Sequence, residues 1–344
     1  MTLTGPDIRV LQVHPTRFCN MRCLHCYSSS GPEERSRLAV PLLEEAIGHA
    51  ARLGYNMLSV SGGEPLLYPG LREICAEARR MRMMVTLVTN GSVMTGERIA
   101  GIRDVVDGIA ISLDGAPARH NQMRGLPQAF QMMEKRLKLL RRESMPFGFV
   151  YTLTRDNLSE LEWAADFAVE QGAATLQVHP IEEYGRALSD DALQSLTQQE
   201  TATACLVVEC LRKIHEGKLI IQLDSLHRNS LPVEPDEIAP WKTGLDRGHR
   251  YLGEIVSPLV IEPDGTVVPL RYGFPRSFAL GNLYERGLDQ MARHWARRRS
   301  GAFCDMYRKT LKRVRTSRDQ FFNVYEMMAE EAASRNPLRL VAAG

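Results

Sequence analysis

Cys19-Asn20-Met21-Arg22-Cys23-Leu24-His25-Cys26 places three cysteines at C-x3-C-x2-C spacing. The apolar run Ile8–Val13 just before it reads as a β-strand, so the triplet falls in a loop at a strand's C-terminal end. Thiolates so close together point to a metal centre. A [4Fe–4S] cluster has four irons, so a three-cysteine loop leaves one iron open to a small chelating ligand such as an amino acid's amine and carboxylate. Zinc is the alternative, with His14 or His25 closing a tetrahedral site.

Working outward, short apolar runs alternate with amphipathic segments. Strands are expected at Met57–Val60, Met84–Val88, Val106–Leu113, Phe147–Leu153 and Thr175–Val178. Helices are expected at Pro41–Leu53, Leu71–Arg82, Val93–Ile102, Ala129–Arg142 and Leu158–Gln171, the fourth with Phe130, Met133, Leu137 and Leu140 in helical phase. Successive β–α units predict an α/β fold, a parallel sheet with helices outside, curled into a barrel or part of one. In such barrels the site is built at the strands' C-terminal ends.

The other distinctive strings fall at those ends. They are Gly62-Gly63-Glu64-Pro65, Thr89-Asn90-Gly91 and Ser112-Leu113-Asp114-Gly115, with His120 and Arg124 after the last. Gln177-Val178-His179-Pro180 and Tyr184-Gly185-Arg186 follow the sixth strand, and Thr154, Asp156 and Asn157 the fifth. Taken singly, each has a plainer reading as a tight turn, a helix cap or a structural histidine.

In this order, over residues 8–186, the strings resemble the radical S-adenosylmethionine (SAM) superfamily, in its SPASM/twitch-type branch. The resemblance implies a partial (β/α)6 TIM-like barrel. It implies one [4Fe–4S] cluster on Cys19, Cys23 and Cys26, with SAM chelated by the open iron. Gly62, Gly63 and Glu64 would receive the SAM amine, Ser112 and Asp114 would lie near its ribose or carboxylate, and His25 beside its adenine. Asn90, Arg124 and Thr89 are further candidates. The activity implied is reductive cleavage of SAM to a 5′-deoxyadenosyl radical. That radical abstracts hydrogen from a substrate in a biosynthetic or peptide-modification pathway. An electron donor such as flavodoxin or ferredoxin is implied, with a small-molecule or peptide substrate. A non-catalytic zinc or iron–sulfur redox-sensing protein on the same barrel is the alternative.

Ile261–Leu270 and Ala279–Leu283, with Leu288 and Trp295 behind, resemble the start of the SPASM or twitch extension. Leu270 stands where a cysteine is usual, and Cys304 alone follows. One thiolate cannot hold an auxiliary cluster, so a degenerate α+β appendage without one is expected. The division expected is 1–190 core barrel, 191–250 helix and connecting loop, 251–344 appendage. Ala192–Glu216 reads as a long helix, Leu219–Leu223 as a further strand, 228–250 as a loop, and Leu283 onward as helical. Glu262-Pro-Asp-Gly265 between two apolar runs predicts a hairpin. Cys75 is expected in the core, and Cys205, Cys210 and Cys304 belong to no motif.

The composition agrees. The chain has 344 residues, 44% hydrophobic and 24% charged, and a formal net charge of +2, which does not argue for nucleic acid, and none is expected as a partner. No run approaches the ~20 apolar residues of a membrane span. The first residues carry no signal-peptide pattern and an odd number of cysteines disfavours a disulfide scaffold, so a cytoplasmic location is expected. With seven residues before the first strand, the small peptide-binding module usual in peptide-modifying members of that superfamily is not expected at this end, and a peptide would be supplied with a partner protein.

Overall fold

The computed structural model describes residues 8–189, 193–230 and 251–334. Strands β1 (Val10–Val13), β2 (Met57–Val60), β3 (Met84–Thr89), β4 (Gly108–Ser112), β5 (Phe147–Leu153), β6 (Thr175–Pro180) and β7 (Ile220–Leu223) pair in parallel, each with the next. Helices α1 (Val40–Arg52), α2 (Leu71–Arg80), α3 (Gly96–Ala100), α4 (Pro117–Arg124), α5 (Ala129–Arg142), α6 (Leu161–Gln171) and α7 (Gln198–Ile214) make the crossovers. This is the expected α/β barrel in partial form, because the sheet stays open.

The strands alternate in burial. Leu58, Val60, Val85, Leu87, Ile109, Ile111, Leu176 and Val178 are buried in one core with Leu43, Ile47, Ile74 and Leu137 of the helices. The opposite phase, Gln12, Ser59, Thr86, Ala110, Val150 and Gln177, is half-buried. A parallel sheet filled on both faces reads as a continuous apolar run; here the half-buried face mixes polar side chains with apolar ones such as Met57, Val88 and Val150. Two layers of apolar packing hold the sheet to its helices, and the lumen is left for chemistry.

Beyond β7, β8 (Leu226–His227) pairs with β12 (Phe321–Phe322) as a separate ribbon. Strands β9 (Leu259–Ile261), β10 (Thr266–Pro269) and β11 (Gly281–Asn282) form the expected hairpin and its continuation. β9 also lies parallel to β1, so the sheet has ten strands in the order β11-β10-β9-β1-β2-β3-β4-β5-β6-β7. The C-terminal segment thus extends the barrel's own sheet. It closes with α8 (Leu288–Arg298), α9 (Ser300–Thr316) and α10 (Val324–Ser334), with Trp295 buried and its Nε1 donating to Phe278 O at 2.9 Å.

Three local expectations change. The helix expected over Val93–Ile102 is only Gly96–Ala100, because Thr95 caps it and Gly101 ends it. Helix α4 was not foreseen. Its buried face is His120, Met123 and Arg124, so no apolar period marks it. The C-terminal helical stretch is broken at Arg299 and again at Ser317, where the chain turns out to form β12. Residues 231–250 of the expected loop lie outside the described residues.

Candidate functional site

The three cysteines follow β1. Cys19 and Cys23 are buried and Cys26 half-buried, all as free thiols. The loop bearing them is stitched to the β2 terminus: Gly63 N donates to Thr16 O and Glu64 N to Phe18 O, both at 2.9 Å. A Cβ at Gly63 would stand 2.1 Å from Phe18 O, and Gly62 has φ 111° with Thr16 O 2.8 Å from its own missing Cβ. These glycines let two backbones pass in contact, which a side chain would block.

Donors converge on the sulfurs. Met21 N lies 3.5 Å and Asn90 Nδ2 3.8 Å from Cys19 Sγ. Arg124 Nη1 lies 3.7 Å from Cys23 Sγ, and Ser28 Oγ 3.4 Å from Cys26 Sγ. Burial pushes the Cys19 thiol up to about 12 and raises that of Cys23. In the metal-free chain both are therefore protonated, and a metal that deprotonates them meets ready-made donors to the thiolates. Among the described residues no three His, Cys, Asp or Glu side chains gather as closely as a single ion needs. A cluster has no such requirement, since each thiolate sits on its own iron. The donor set fits a [4Fe–4S] group.

Glu64 is wholly buried, and its carboxylate accepts from Leu66 N (3.1 Å), Thr89 Oγ1 (2.7 Å) and Asn90 N (3.0 Å). Burial raises its pKa while these bonds oppose the rise. The residue thus ties the end of β2 to the end of β3. Asn90 also donates to Asn20 Oδ1 at 3.0 Å and accepts from Ser92, so it too is turned toward the cysteine loop.

At the end of β4, Asp114 is fully buried and pairs with Arg124 Nε at 2.6 Å, with His25 Nε2 3.9 Å away. Burial works against this carboxylate's charge, but the Arg124 guanidinium prevails and holds it down to about 2. His120 Nδ1 accepts from Asp114 N at 3.2 Å, the geometry of a neutral ring. Burial lowers both His25 and His120 to about 4. Asn157 is buried and donates to Asp114 O (3.0 Å) and Thr152 O (2.8 Å), while its Oδ1 accepts from Thr154 N. It braces the rim from beneath. Ser112 is buried on the lumen phase, in register with Val150 and Gln177. His179 lies in register with Thr152 further along that face and pairs with Asp224 after β7.

Cys19, Cys23, Cys26, His25, Gly62, Gly63, Glu64, Asn90, Ser112, Asp114 and Arg124 thus share one rim. Cys75 and Cys304 are core residues, and on α7 Cys205 is half-buried and Cys210 exposed.

Two features of the rim were not anticipated. Arg186 grips the cysteine loop, with N to Cys26 O (3.1 Å), Nε to Cys23 O (2.9 Å) and Nη2 to Ser30 O (2.6 Å). Gly185 (φ 61°) rests on Tyr27 O, 2.3 Å from where its Cβ would be. The Gly-Arg pair signalled something at this place, and its partners could come only from the fold. The other feature is an aromatic group joining the cysteine loop to the C-terminal segment. His14 stands 4.9 Å from Tyr272, Tyr27 5.4 Å from Tyr272, and Tyr184 6.3 Å from Tyr272 between ring centroids.

Residues 13–168 match the family model described as the radical SAM superfamily. The chain is 31% identical over 186 residues to an AdoMet-dependent heme synthase of Methanosarcina barkeri, covering 53% of this chain and 53% of that one. It is 26% identical over 272 residues to a PqqA peptide cyclase of Ruegeria pomeroyi, covering 78% and 68%. The chain spans about half the length of the first of these relatives. In fold it is similar to Streptococcus suis SuiB bound to S-adenosylmethionine, with TM-score 0.66, 16% identity, and coverage of 82% of this chain and 65% of that one.

Proposed function

We propose, from the premise that this chain belongs to the radical SAM superfamily through residues 13–168, that it is a radical SAM enzyme acting in a biosynthetic or peptide-modification pathway. The observation that carries this reading is the cysteine loop with a hydrogen-bonding group beside each sulfur, packed against the Gly62-Gly63-Glu64 turn. Cys19, Cys23 and Cys26 would hold one [4Fe–4S] cluster. When bound, the cluster and SAM supply one-electron cleavage of SAM to a 5′-deoxyadenosyl radical that takes hydrogen from the substrate.

The chain's own residues do the rest. Asn90, Ser28 and Met21 N hydrogen-bond the thiolates, and Arg186 fixes the loop's backbone. The rim residues Gly62, Gly63, Ser112, Asp114 and His25 border the place for SAM. Glu64 and Asn90 shape that place by tying β2 and β3 to the cysteine loop. On the concave face Gln12, Ser59, Thr86 and Gln177 offer hydrogen-bonding groups among apolar neighbours, which supports a substrate with polar groups, whether a peptide segment or a small molecule. The names of the relatives, a heme synthase and a peptide cyclase, support a role in cofactor or peptide chemistry.

The segment from 251 onward carries one cysteine, Cys304, buried on α9. That supports an appendage without an auxiliary cluster. A one-electron donor of flavodoxin or ferredoxin type would reduce the enzyme. A cytoplasmic setting suits seven cysteines that are all free. No helix among the described residues is long and apolar enough to cross a membrane.

Anaerobic reconstitution with iron and sulfide, followed by dithionite and SAM, tests the reading. One cluster's worth of iron per chain with 5′-deoxyadenosine formed, both lost in the Cys19/Cys23/Cys26 triple alanine variant, is the expected result. Bound zinc without 5′-deoxyadenosine would overturn it, and twice the iron would overturn the single-cluster reading.

A further inference from the structure

We propose that Arg124 is a positioning residue that acts on the Cys23 thiolate and so sets the reduction potential of the cluster, and that it does not bind SAM. The inference rests on the radical SAM reading above. It starts from the unequal surroundings of the three sulfurs. Cys19 Sγ is approached by Met21 N and Asn90 Nδ2, and Cys26 Sγ by the Ser28 hydroxyl, all neutral groups. Cys23 Sγ alone of the three is met by a guanidinium, Arg124 Nη1 at 3.7 Å.

The guanidinium is not free to swing toward a ligand in the lumen. Its Nε is paired with Asp114 at 2.6 Å, and the two side chains are 9% and 0% exposed. Arg124 is the last residue of α4, which Gly125 ends at φ 62°. That end of the helix is pinned under the cysteine loop: Leu24 N donates to Met123 O at 2.9 Å, and a Cβ at Gly125 would stand 2.8 Å from Arg22 O. Asp114 is itself fixed by His120 through its N–H and by Asn157 through its carbonyl. Asp114 thus meets the guanidinium at Nε, and Cys23 Sγ meets it at Nη1.

The consequence is electrostatic. Hydrogen bonds and charge at the sulfurs are among the main determinants of an iron–sulfur potential. In a site closed to water a fixed cation beside one thiolate is little screened. It favours the reduced cluster, which carries one more negative charge. Asp114 opposes this in part, but it lies on the far side of the guanidinium from the sulfur.

The test uses the full chain, reconstituted anaerobically as wild type, Arg124→Lys, Arg124→Gln and the Asp114→Asn/Arg124→Gln double variant. Iron per chain is counted, and the midpoint potential is measured by EPR-monitored titration without SAM. SAM is then added and the change in the EPR signal recorded. Arg124→Gln is expected to make reduction at least about tenfold less favourable, a fall of about 59 mV for a one-electron couple. Arg124→Lys should keep most of the wild-type potential, and the double variant should fall between. Arg124→Lys and Arg124→Gln should still show the SAM-induced EPR change, while the double variant, whose Asp114 borders the place for SAM, is read for its potential alone. The double variant leaves no orphaned carboxylate, so it remains informative if Arg124→Gln fails to fold.

A wild-type potential in Arg124→Gln or in the double variant would overturn the proposal, and loss of the SAM-induced change in Arg124→Lys or Arg124→Gln would overturn it by putting Arg124 on SAM. A wild-type chain that takes up no cluster would instead overturn the radical SAM reading itself.

Discussion

Arg271 Nη1 stands 3.1 Å from Glu182 Oε2, joining segments that follow β10 and β6, near opposite ends of one ten-stranded sheet. The chain reverses at Leu270, which has φ 68°, and Gly273 N then donates to Glu262 Oε1 at 2.7 Å. Arg271 also lies over the Tyr184 ring, 5.5 Å from its centroid. The open side of the sheet is therefore bridged where the loop after β6 meets the C-terminal segment. That same loop, through Gly185 and Arg186, bears on the cysteines.

Breaking this bridge should loosen the cysteine loop more than it unfolds the protein. Glu182 is 35% exposed and Arg271 15%, so the ion pair contributes no more than about 1 kcal/mol after solvent screening. Arg271→Ala is expected to lower the melting temperature slightly while raising hydrogen exchange over residues 182–186 and 23–30. The charge-swapped Glu182→Arg/Arg271→Glu pair should recover part of the protection. Unchanged exchange in Arg271→Ala would mean that the aromatic contacts and the Arg186 hydrogen bonds hold the loop without the ion pair.

Arg186→Gln should weaken retention of iron. The substitution removes the bonds from Nε and Nη2 to the carbonyls of Cys23 and Ser30, about 1–3 kcal/mol for acceptors left unpaired. Faster loss of iron to a chelator in the reconstituted variant, at a melting temperature close to wild type for the metal-free chain, is the expected outcome.

Gly63→Ala should be among the most damaging single-methyl changes in the chain. Its Cβ would meet Phe18 O at 2.1 Å, and backbone cannot yield as a side-chain tip would. Overpacking of this kind costs about 1–3 kcal/mol. A lower melting temperature and loss of iron uptake should appear together. Gly172→Ala (φ 75°, open space around its Cβ) is the control, expected to cost backbone strain and leave iron uptake intact.

Acid should destabilise the metal-free protein from below about pH 6.5. Burial lowers His14 to about 3 and His120 to about 4, against an ordinary value near 6.5. Between those values the unfolded chain binds the protons and the folded chain does not, so stability falls as pH falls and levels off below the folded values. Each histidine contributes at most about 1.4 kcal/mol per pH unit in that window. Thermal melts from pH 7 to 5 should show the decline, and those of His14→Phe a shallower one, since His25 and His120, both lowered to about 4, keep their shares. An equal slope in wild type and variant would count against a neutral buried His14.

The sequence by itself determined the barrel strands, the cysteine loop and the rim on which it lies. Strand period, helix period and C-x3-C-x2-C spacing are local properties. β2, β5 and α5 begin and end where their patterns do, because apolar alternation and helical phase are written in adjacent residues. Glu64, Asn90 and Asp114 could be placed on one rim because each sits in a short string at a strand end, and Arg124 because it follows the Ser112–Gly115 string closely. What each of them touches was not legible. Arg124 lies 101 positions from Cys23, and Arg186 lies 163 from it; only the curl of the sheet brings them together. Helix α4 escaped notice because its buried face is charged, and hydrophobic periodicity is blind to a helix buried through an ion pair. The parallel pairing of β9 with β1 was hidden for a similar reason: a three-residue apolar run shows that a strand exists, while its neighbour is chosen by which sheet edge is left open once the barrel has formed.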